Sequence, residues 1–449
     1  MKLSNIINNV KVLDIQGNSD ADIKGLELDS RRIEPGFLFF AVCGTQADGH
    51  NYIPKAIELG AVAVVCQRIP ENADPKVTFV KVENTEKAVG QIATDFYGDP
   101  TSKLKLVGVT GTNGKTTTKE LIAAALGARY RVAATKGNLN NDIGVPLTLL
   151  SIIPGTQMAV VEMGANHPDD ISKLVQVSRP DYGYITNVGK AHLLGFGSYE
   201  GVLAAKTELY KWLGSHAGSV IFVNTGHADL AAAARKHSCH QWEFSMEGMD
   251  AEVLATGSDN PFLTLRIGED VIRTHLVGAY NADNVLAAFS ISQYFGVPRA
   301  DAIRALETYE PSNSRSQLMK TDRNTLIVDA YNANPSSMGL AIDNIAAMQA
   351  GDKLAMLGDM RELGAASLAE HKAIVAKLVE KEIPACLVGE EFAKAVADLG
   401  IPVGDGFVKA LYPDSDALAA ALKEKPLHGA TVLIKGSRGI RMEKVIPEL

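Results

Sequence analysis

A short apolar run, a glycine-bearing loop and a helix-like pattern follow one another in the first third of the chain, and this order constrains the fold most. The apolar run covers residues 104–109, and the loop after it contains Gly111 and Gly114. Loop glycines let backbone N–H groups surround phosphate oxygens, and the start of a helix adds positive potential. Lys115 can reach the outer phosphates, and the Thr116 hydroxyl can hold a magnesium ion. The sequence therefore predicts a parallel-sheet domain that binds a nucleoside triphosphate.

The loop departs from the strict phosphate-binding pattern, which has a glycine five residues before the second loop glycine. Val109 occupies that position, so the loop is a shortened variant with the sequence GTNGKT. The alternative interpretation is a strand-to-helix turn in which Gly111 and Gly114 adopt positive φ without binding a ligand. Phosphate binding is favoured because a strand signal precedes the loop and a helix signal follows it.

Length and composition set the class of protein. A chain of 449 residues is too long for a single hydrophobic core and predicts two or three domains. The formal net charge is -8 and no basic run occurs, which argues against a nucleic-acid partner. No apolar stretch approaches the ~18 residues of a membrane span, and the amino terminus lacks the apolar core of a signal peptide. The chain has four widely separated cysteines, Cys43, Cys66, Cys239 and Cys386, and this spacing indicates reduced thiols. We therefore expect a cytoplasmic protein without a membrane span.

The first block, residues 1–100, ends at a Gly-Asp-Pro linker signal and contains two polar loops. One loop carries Ser30 and Arg31, and the other carries Thr45 and runs to His50. Hydroxyl and guanidinium groups on loops suit a phosphate or a sugar. The alternative is ordinary solvated surface, and spacing alone does not separate the two.

The second block, residues 101–311, alternates strand and helix signals and predicts a mostly parallel sheet with helices on its faces. Glu162 follows an apolar strand, at the sheet edge where parallel sheets bind ligands, and could hold magnesium there. The asparagine-rich run at residues 137–144 can be turn chemistry and nothing more. Residues 251–276 suggest inserted hairpins.

Single polar residues of the same block carry weaker signals. His192 and Lys206 follow the next strand, and a lone histidine or lysine is usually a surface or satisfied core residue. Asn281 and Asn284 lie one helical turn apart and so face the same way. Their amides could read the edge of adenine, although helix capping is the alternative for Asn281.

The third block, residues 312–449, repeats the alternation of strands and helices and predicts a second α/β unit with a Rossmann-like layout. The segment after its first strand reads DAYNANP, residues 329–335, in place of the glycine fingerprint of dinucleotide sites. A dinucleotide is therefore not expected.

Eight short motifs occur in order along nearly the whole chain. They are GTNGKTTT, GNLNNDIGVP, VEMGAN, TNVGKAHLLGFGS with AAKTEL, GAYNADN, DAYNANP, LGDMRELG and IKGSRG. Most of these motifs are weak individually, but eight in register are specific. Together they resemble the Mur ligases of bacterial peptidoglycan synthesis.

The resemblance implies a three-domain α/β protein and an ATP-dependent ligation. Residues 1–100 would bind the UDP-sugar, residues 101–311 would form the P-loop ATPase, and residues 312–449 would bring the incoming dipeptide. The implied substrates are UDP-N-acetylmuramoyl-tripeptide and D-alanyl-D-alanine, joined through an acyl phosphate with release of ADP and phosphate. A monomer is expected. Hinges are expected near residues 100 and 311, because the three domains must close around three substrates.

The resemblance also implies a set of site residues. The catalytic residues would be Lys115, Glu162, His192 and Lys206. ATP would be bound by Gly111, Thr112, Asn113, Gly114, Lys115, Thr116, Thr117, Asn281, Asn284, Arg315 and Asp329. Two magnesium ions would be held by Thr116, Glu162, His192 and Lys206, the last as a carbamate, which converts the ammonium into an anion. The substrates would be bound by Ser30, Arg31, Thr45, Asn138, Asn141, Tyr331, Asn332 and Asn334.

Two loops, GNLNNDIG and DAYNANP, point to the members that add D-alanyl-D-alanine. Folylpolyglutamate synthases read DGAHNP where this chain reads DAYNANP, and ligases that add a diamino acid carry an acidic-Asn-Pro-Arg motif later in the last domain. Tyr280 and Ser314 stand where the family often has histidine and glycine. A sibling ligase and a binding module that hydrolyses ATP without ligation stay open as alternatives. The third residue of the acceptor peptide, lysine or diaminopimelate, is not fixed by the sequence.

Overall fold

In a computed structural model, the described residues are 1–43, 48–96, 104–153, 155–254, 261–311, 315–404 and 406–449. The chain divides into two compact units. The first comprises Met1–Gly108, Arg131–Gly164 and Ser172–Tyr182, and the second comprises Val109–Tyr130, Ala165–Ile171 and Gly183–Leu449. Thr45, Ser314 and the linker and hinge expected near residue 100 lie outside the described residues.

The amino-terminal sheet has both faces covered. Its strands are β1 Val12–Gln16, β2 Gly25–Glu27, β3 Phe37–Phe40, β4 Ala63–Cys66 and β5 Thr78–Val82, and its helices are α1 Leu3–Ile6, α2 Ile53–Glu58 and α3 Thr85–Phe96. In β3, Leu38 and Phe40 pack into one buried cluster and Phe39 into another. Because successive side chains point to opposite faces, this strand reads as a continuous apolar run. The order is β1-β5-β4-β3-β2, with β1 antiparallel to β5 and the other neighbours parallel.

The central sheet carries the glycine loop. Its strands are β6 Lys105–Thr110, β7 Val132–Ala134, β8 Met158–Glu162, β9 Tyr182–Ile185, β10 Val220–Asn224 and β11 His240–Phe244. Its helices are α4 Lys115–Gly127, α5 Gly144–Leu150, α6 Asp170–Ser178, α7 Leu193–Phe196, α8 Tyr199–Lys206, α9 Glu208–Gly214 and α10 Ala228–Ala234. The order β11-β10-β9-β6-β8-β7 makes β6 an inner strand, at the point where the chain order reverses. Such a point opens a crevice at the carboxyl ends of the strands, which is where α/β sheets bind ligands.

A small antiparallel sheet and two helices follow. The sheet consists of β12 Ala251–Val253, β13 Phe262–Ile267 and β14 Asp270–Val277, and the helices are α11 Ala282–Tyr294 and α12 Arg299–Thr308. The sequence prediction of hairpins in this region is therefore confirmed for the described residues. Helix α11 is apolar on most of its surface and almost wholly buried, as expected for a core helix.

The carboxyl-terminal sheet is parallel except at one edge. Its strands are β15 Gln317–Lys320, β16 Thr325–Asp329, β17 Lys353–Gly358, β18 Ala385–Val388, β19 Val408–Tyr412 and β20 Thr431–Lys435. Its helices are α13 Pro335–Ala347, α14 Ser367–Glu380, α15 Glu390–Leu399 and α16 Ser415–Glu424. The order is β15-β16-β20-β17-β18-β19, with β15 antiparallel to β16 and the rest parallel. The predicted α/β class with mostly parallel sheets is confirmed.

Among the described residues, none of the helices combines the length and the apolar character needed to cross a bilayer.

Candidate active site

Both glycines of the phosphate loop are required by its geometry. Gly111 has φ +141°, and a Cβ there would lie 2.0 Å from Oγ1 of Thr186. Gly114 has φ +77°, and a Cβ there would lie 2.6 Å from Oδ1 of Asn284. L side chains rarely adopt such backbone angles, and neither position has room for a methyl group. The loop can therefore pack this closely only with glycine at both positions.

The loop is held by the polar residues that follow strand β9. The backbone oxygen of Asn187 accepts from the N–H of Thr112 at 2.9 Å, and its Oδ1 accepts from the N–H of Asn113 at 3.0 Å. Thr186 Oγ1 donates to the Asn113 carbonyl at 2.6 Å. In the sequence, Thr186 and Asn187 stand out only as parts of the motif TNVGKAHLLGFGS. Their position directly after a parallel strand, beside the phosphate-loop strand, is the signal that could have found them.

Lys115 folds back over its own loop. Its Nζ donates to the carbonyl oxygens of Gly111 and Thr112, both at 2.8 Å. Thr116 and Thr117 are buried in the first turn of α4. An ammonium group and a helix start at one place give a positive site for phosphate.

Asn281 and Asn284 connect helix α11 to the phosphate-loop helix. Thr118 Oγ1 donates to Asn284 Oδ1 at 2.9 Å, and Asn284 Nδ2 donates to Asn281 Oδ1 at 2.9 Å. Asn281 Nδ2 in turn donates to the carbonyl of Val277 at 2.9 Å. Both side chains are buried and bond within the protein, so their expected contact with adenine stays a prediction.

Lys206, at the end of α8, is 2% exposed. Its Nζ donates to the Ala165 carbonyl at 3.2 Å and lies 5.6 Å from the centre of the Phe196 ring. Burial, together with the charge of Lys115, lowers the pKa of Lys206 to about 7. A large share of this amine is therefore uncharged and nucleophilic at neutral pH. His192 packs edge-on against the same Phe196 ring, with 6.5 Å between ring centres.

The DAYNANP segment is supported by a buried lysine that the sequence analysis did not single out. Lys435 Nζ donates to Asp329 Oδ2 and, at 3.0 Å, to the carbonyl of Asn332. The two residues Asp329 and Lys435 are partners in the parallel pair β16 and β20. A lysine at the carboxyl end of a strand neighbouring β16 could have been recognised only once the strand order was known.

Three further contacts fix the surroundings of this segment. The guanidinium of Arg315 lies 3.6 Å from the centre of the Tyr331 ring. Tyr280 is hydrogen bonded through its hydroxyl to Ser316 Oγ at 3.0 Å. Asn334 Nδ2 donates to Oδ1 of Asn113 in the phosphate loop at 2.7 Å. The structure thus brings the expected dipeptide and ATP residues together at this point.

Glu162 ends strand β8 and is 1% exposed. Its Oε1 accepts from Asn140 Nδ2 at 2.7 Å, and its backbone N–H donates to Thr135 Oγ1 at 3.0 Å. Its Oε2 is buried and has no hydrogen-bond partner among the described residues. An unpaired buried carboxylate oxygen is costly, and a cation would satisfy it. Asn140, from the asparagine-rich run, was not among the expected site residues.

A cavity of about 820 Å³ lies between the loop that follows β2 and the start of helix α5. Ser30, Arg31, Lys136 and Leu139 are among the residues that line it. Arg31 is paired with Asp29 and lowers the pKa of that carboxyl to about 2. Two of the residues expected to bind the substrate, Ser30 and Arg31, thus line this cavity.

Asn138 and Asn141 were also expected to bind the substrate. They lie in the loop that carries Lys136 and Leu139, but they are not among the residues that line the cavity. Asn141 Oδ1 accepts from the N–H of Gly144 at 2.9 Å, at the start of α5. Asn138 is exposed, and its carbonyl accepts from the N–H of Asn140 at 2.7 Å.

Cys43, Asp48 and His50 place their possible metal-binding atoms within 4.8 Å of one another. His50 Nε2, however, accepts from the backbone N–H of Gln67 at 3.1 Å. Its Nδ1 must then carry the proton and donate to Asp48 Oδ1 at 2.7 Å. We interpret these contacts as structural hydrogen bonds that join His50 to Asp48 and Gln67, and not as a metal site.

Three family descriptions match consecutive parts of the chain. Residues 22–97 match "Mur ligase family, catalytic domain", residues 109–292 match "Mur ligase middle domain" and residues 314–438 match "Mur ligase, glutamate ligase domain". The motif resemblance noted in the sequence is thereby confirmed.

Known proteins match nearly the whole chain. It is 32% identical to a Bacillus subtilis protein named UDP-N-acetylmuramoyl-tripeptide--D-alanyl-D-alanine ligase, over 95% of this chain and 93% of that protein. The fold is similar to crystal structure I of MurF from Acinetobacter baumannii, with a TM-score of 0.81, 29% identity, and 95% and 93% of the two chains covered. MurF ligase from Thermotoga maritima in complex with ADP gives a TM-score of 0.79 and 26% identity, with 96% and 97% covered. The chain belongs to the Mur ligase family.

Proposed function

We propose that this protein is the ATP-dependent ligase that joins D-alanyl-D-alanine to UDP-N-acetylmuramoyl-tripeptide in peptidoglycan precursor synthesis. The observation that carries the proposal is the hydrogen bond from Asn334 to Asn113. This bond joins the phosphate loop to the DAYNANP segment, which distinguishes the family members that add D-alanyl-D-alanine. Relatives that match over almost their full length and carry this activity in their names support the same assignment.

The chemistry is amide formation from a carboxylate, which is inert toward amines until it is activated. ATP phosphorylates the terminal carboxylate of the tripeptide, giving an acyl phosphate and ADP. The amine of D-alanyl-D-alanine attacks the acyl carbon, and phosphate leaves from the tetrahedral intermediate. Both steps build negative charge, which Lys115 and the loop N–H groups stabilise, so the protein contributes positioning and electrostatics.

Two magnesium ions fit the residues present, and they would neutralise charge on the transferred phosphoryl group. The residues that would hold them are Thr116, Glu162, His192 and carbamylated Lys206. The buried, unpartnered Oε2 of Glu162 supports a cation at that carboxylate. The uncharged fraction of the buried Lys206 amine supports the carbamate, since such an amine adds to carbon dioxide and releases one proton. Burial disfavours the carbamate anion as it does the ammonium, so the carbamate would be stabilised by the cations that it helps to hold.

The remaining assignments follow from this function. Residues 1–100 would bind the UDP-sugar, residues 101–311 would bind ATP and residues 312–449 would bring the dipeptide, with hinges near residues 100 and 311. The cavity that holds Ser30 and Arg31 would accept part of the UDP-muramoyl substrate, whose path would also pass Thr45, Asn138 and Asn141. The reaction consumes ATP and a UDP-linked precursor, which supports a cytoplasmic enzyme, and we expect it to act as a monomer.

The test is mass spectrometry of the products formed from ATP, D-alanyl-D-alanine and a UDP-muramoyl tripeptide that ends in lysine or in diaminopimelate. We expect a pentapeptide product with one of the two acceptors, together with ADP and phosphate. Phosphate release that depends on another amine would identify a sibling ligase. Phosphate release that ignores the UDP-muramoyl peptide would identify a binding module that hydrolyses ATP.

A further inference from the structure

The loop that carries His192 is docked against the loop that follows strand β17. His192 Nδ1 is hydrogen bonded to Glu362 Oε2, and the N–H of Leu194 donates to the Glu362 carbonyl at 3.3 Å. Nearby, Lys190 Nζ pairs with Glu370 Oε1 at 2.9 Å. Glu362 lies in the LGDMRELG motif, to which the proposed function assigns no role.

Both partners of the histidine contact have unusual backbones. His192 has φ +50° and Glu362 has φ +64°, and neither is glycine. Non-glycine residues in the left-handed region are strained and persist only where the surroundings hold them. The pair is also partly exposed, with side chains 27% and 56% accessible, so its ionic attraction adds little stability. A contact that is strained on both sides and contributes little to stability points to a functional constraint.

The hydrogen bond indicates which ring nitrogen of His192 donates. An ionised carboxylate can only accept, so Nδ1 of His192 carries a proton and donates it to Glu362. In the neutral ring, Nε2 then keeps its lone pair and is available to a ligand. Histidines that bind metals usually donate their other ring N–H to a carboxylate in this way.

We propose that Glu362 is a positioning residue for His192, setting the tautomer and orientation that let Nε2 bind magnesium. The proposal rests on the metal role that the proposed function gives to His192. Because Glu362 lies in the loop after β17 and His192 in the loop after β9, docking of the two loops orients one of the proposed metal ligands. Metal affinity therefore depends on a residue that does not touch the metal.

The test measures Mn²⁺ binding by electron paramagnetic resonance to the full-length protein saturated with a non-hydrolysable ATP analogue. We expect Glu362→Ala to weaken Mn²⁺ affinity by about 10-fold or more, as for other partners of metal-binding histidines. Glu362→Gln keeps an acceptor oxygen and is expected to retain part of the affinity. Thermal unfolding of each variant establishes that it is folded.

Two control variants separate positioning from simple docking. Glu370→Ala removes the neighbouring Lys190 ion pair from the same docked surface. Asp398→Ala removes an exposed ion pair with Lys372 elsewhere in the same domain. Both should leave Mn²⁺ affinity within about twofold of wild type, because neither pair includes His192 or Glu362. Wild-type affinity in Glu362→Ala, or an equal loss in Glu370→Ala, would overturn the proposal.

The binding readout keeps this test separate from the test of the proposed function. If the wild-type protein forms no pentapeptide product, the ligase assignment fails whatever the Mn²⁺ result. If the product forms and Glu362→Ala binds Mn²⁺ normally, only the positioning role fails. A lower kcat in Glu362→Ala with an unchanged KM for D-alanyl-D-alanine would support positioning of the metal ligand.

Discussion

Asn334 donates from Nδ2 to Oδ1 of Asn113 at 2.7 Å while its own Oδ1 accepts from the N–H of Ser337 at 2.9 Å. The second bond, with the return bond from Asn334 N–H to the Ser337 hydroxyl, forms a capping box at the start of α13. One amide side chain thus starts a helix with its oxygen and reaches the phosphate loop with its nitrogen. A substitution that keeps the oxygen and replaces the nitrogen separates the two roles.

Asn334→Asp is that substitution. Aspartate caps helices as well as asparagine does, so the free energy of unfolding should change by less than about 0.5 kcal/mol. Its second oxygen would face Asn113 Oδ1, and two acceptors cannot bond, so the contact with the phosphate loop should be lost. We expect a raised KM for ATP or for the dipeptide with nearly normal urea unfolding. Asn334→Ala is the comparison, because it should also lose about 1 kcal/mol of stability with the cap.

Gly111→Ala should abolish ATP binding. The added Cβ would lie 2.0 Å from Thr186 Oγ1 at φ +141°, so the loop must move. Gly127→Ala is the matched control, since a Cβ there meets nothing within 4 Å and Gly127 lies at the end of α4. Alanine is also the better helix former. Isothermal titration with an ATP analogue checks both, and normal binding in Gly111→Ala would contradict the geometry of the loop.

Lys115→Ala should stop formation of the acyl phosphate while UDP-muramoyl tripeptide still binds. Lys115 is the ammonium group held over the phosphate loop by two carbonyl oxygens, and its charge is needed as negative charge develops on the phosphoryl group. Rapid-quench measurement of ADP formation reports the first step, and titration calorimetry reports substrate binding. Normal turnover in this variant would contradict the assigned role.

The sequence predicted the strand, loop and helix around the phosphate loop because a buried strand followed by loop glycines leaves a clear signal, but it did not predict the buried inner strand β10. The strand starting near residue 104, the glycine loop and the helix up to Gly127 are found as β6, the loop and α4. The sequence pattern also did not indicate the edge strands β15 and β19. Both are only partly buried, so their apolar pattern is weak, and pairing with a neighbouring strand decides their conformation.

The local geometry of the candidate site was predictable where one short segment sets it, as in the strand, loop and helix of the phosphate loop. It was not predictable where distant segments meet. Lys435 supports Asp329 only because β16 and β20 are neighbours, and Glu362 reaches His192 across 170 residues of chain. Periodicity and spacing report local structure, whereas these pairs depend on the topology of the sheets.

Lys206→Ala should be severely impaired and partly restored by short carboxylic acids such as formate or acetate, which can replace the carbamate. The buried position of the amine, against Phe196 and the Ala165 carbonyl, leaves a small space when the side chain is removed. Steady-state phosphate release with and without added acid measures the effect. Lys211→Ala, at an exposed lysine of α9, is the control and should be active without rescue. Wild-type rates in Lys206→Ala would contradict the carbamate.

Lys435→Met should destabilise the carboxyl-terminal domain by roughly 3 kcal/mol, because removing one partner of a buried pair leaves the other charge uncompensated. The side chains of Lys435 and Asp329 are 3% and 16% exposed, so water cannot replace the lost ammonium fully. In the double variant Lys435→Met, Asp329→Asn, the uncompensated charge is gone, and urea unfolding should show a smaller loss than in the single variant. Lys444→Met removes an exposed pair with Asp416 and should cost less than about 1 kcal/mol. Equal losses in the single and double variants would show that the charge of Asp329 is not what Lys435 compensates.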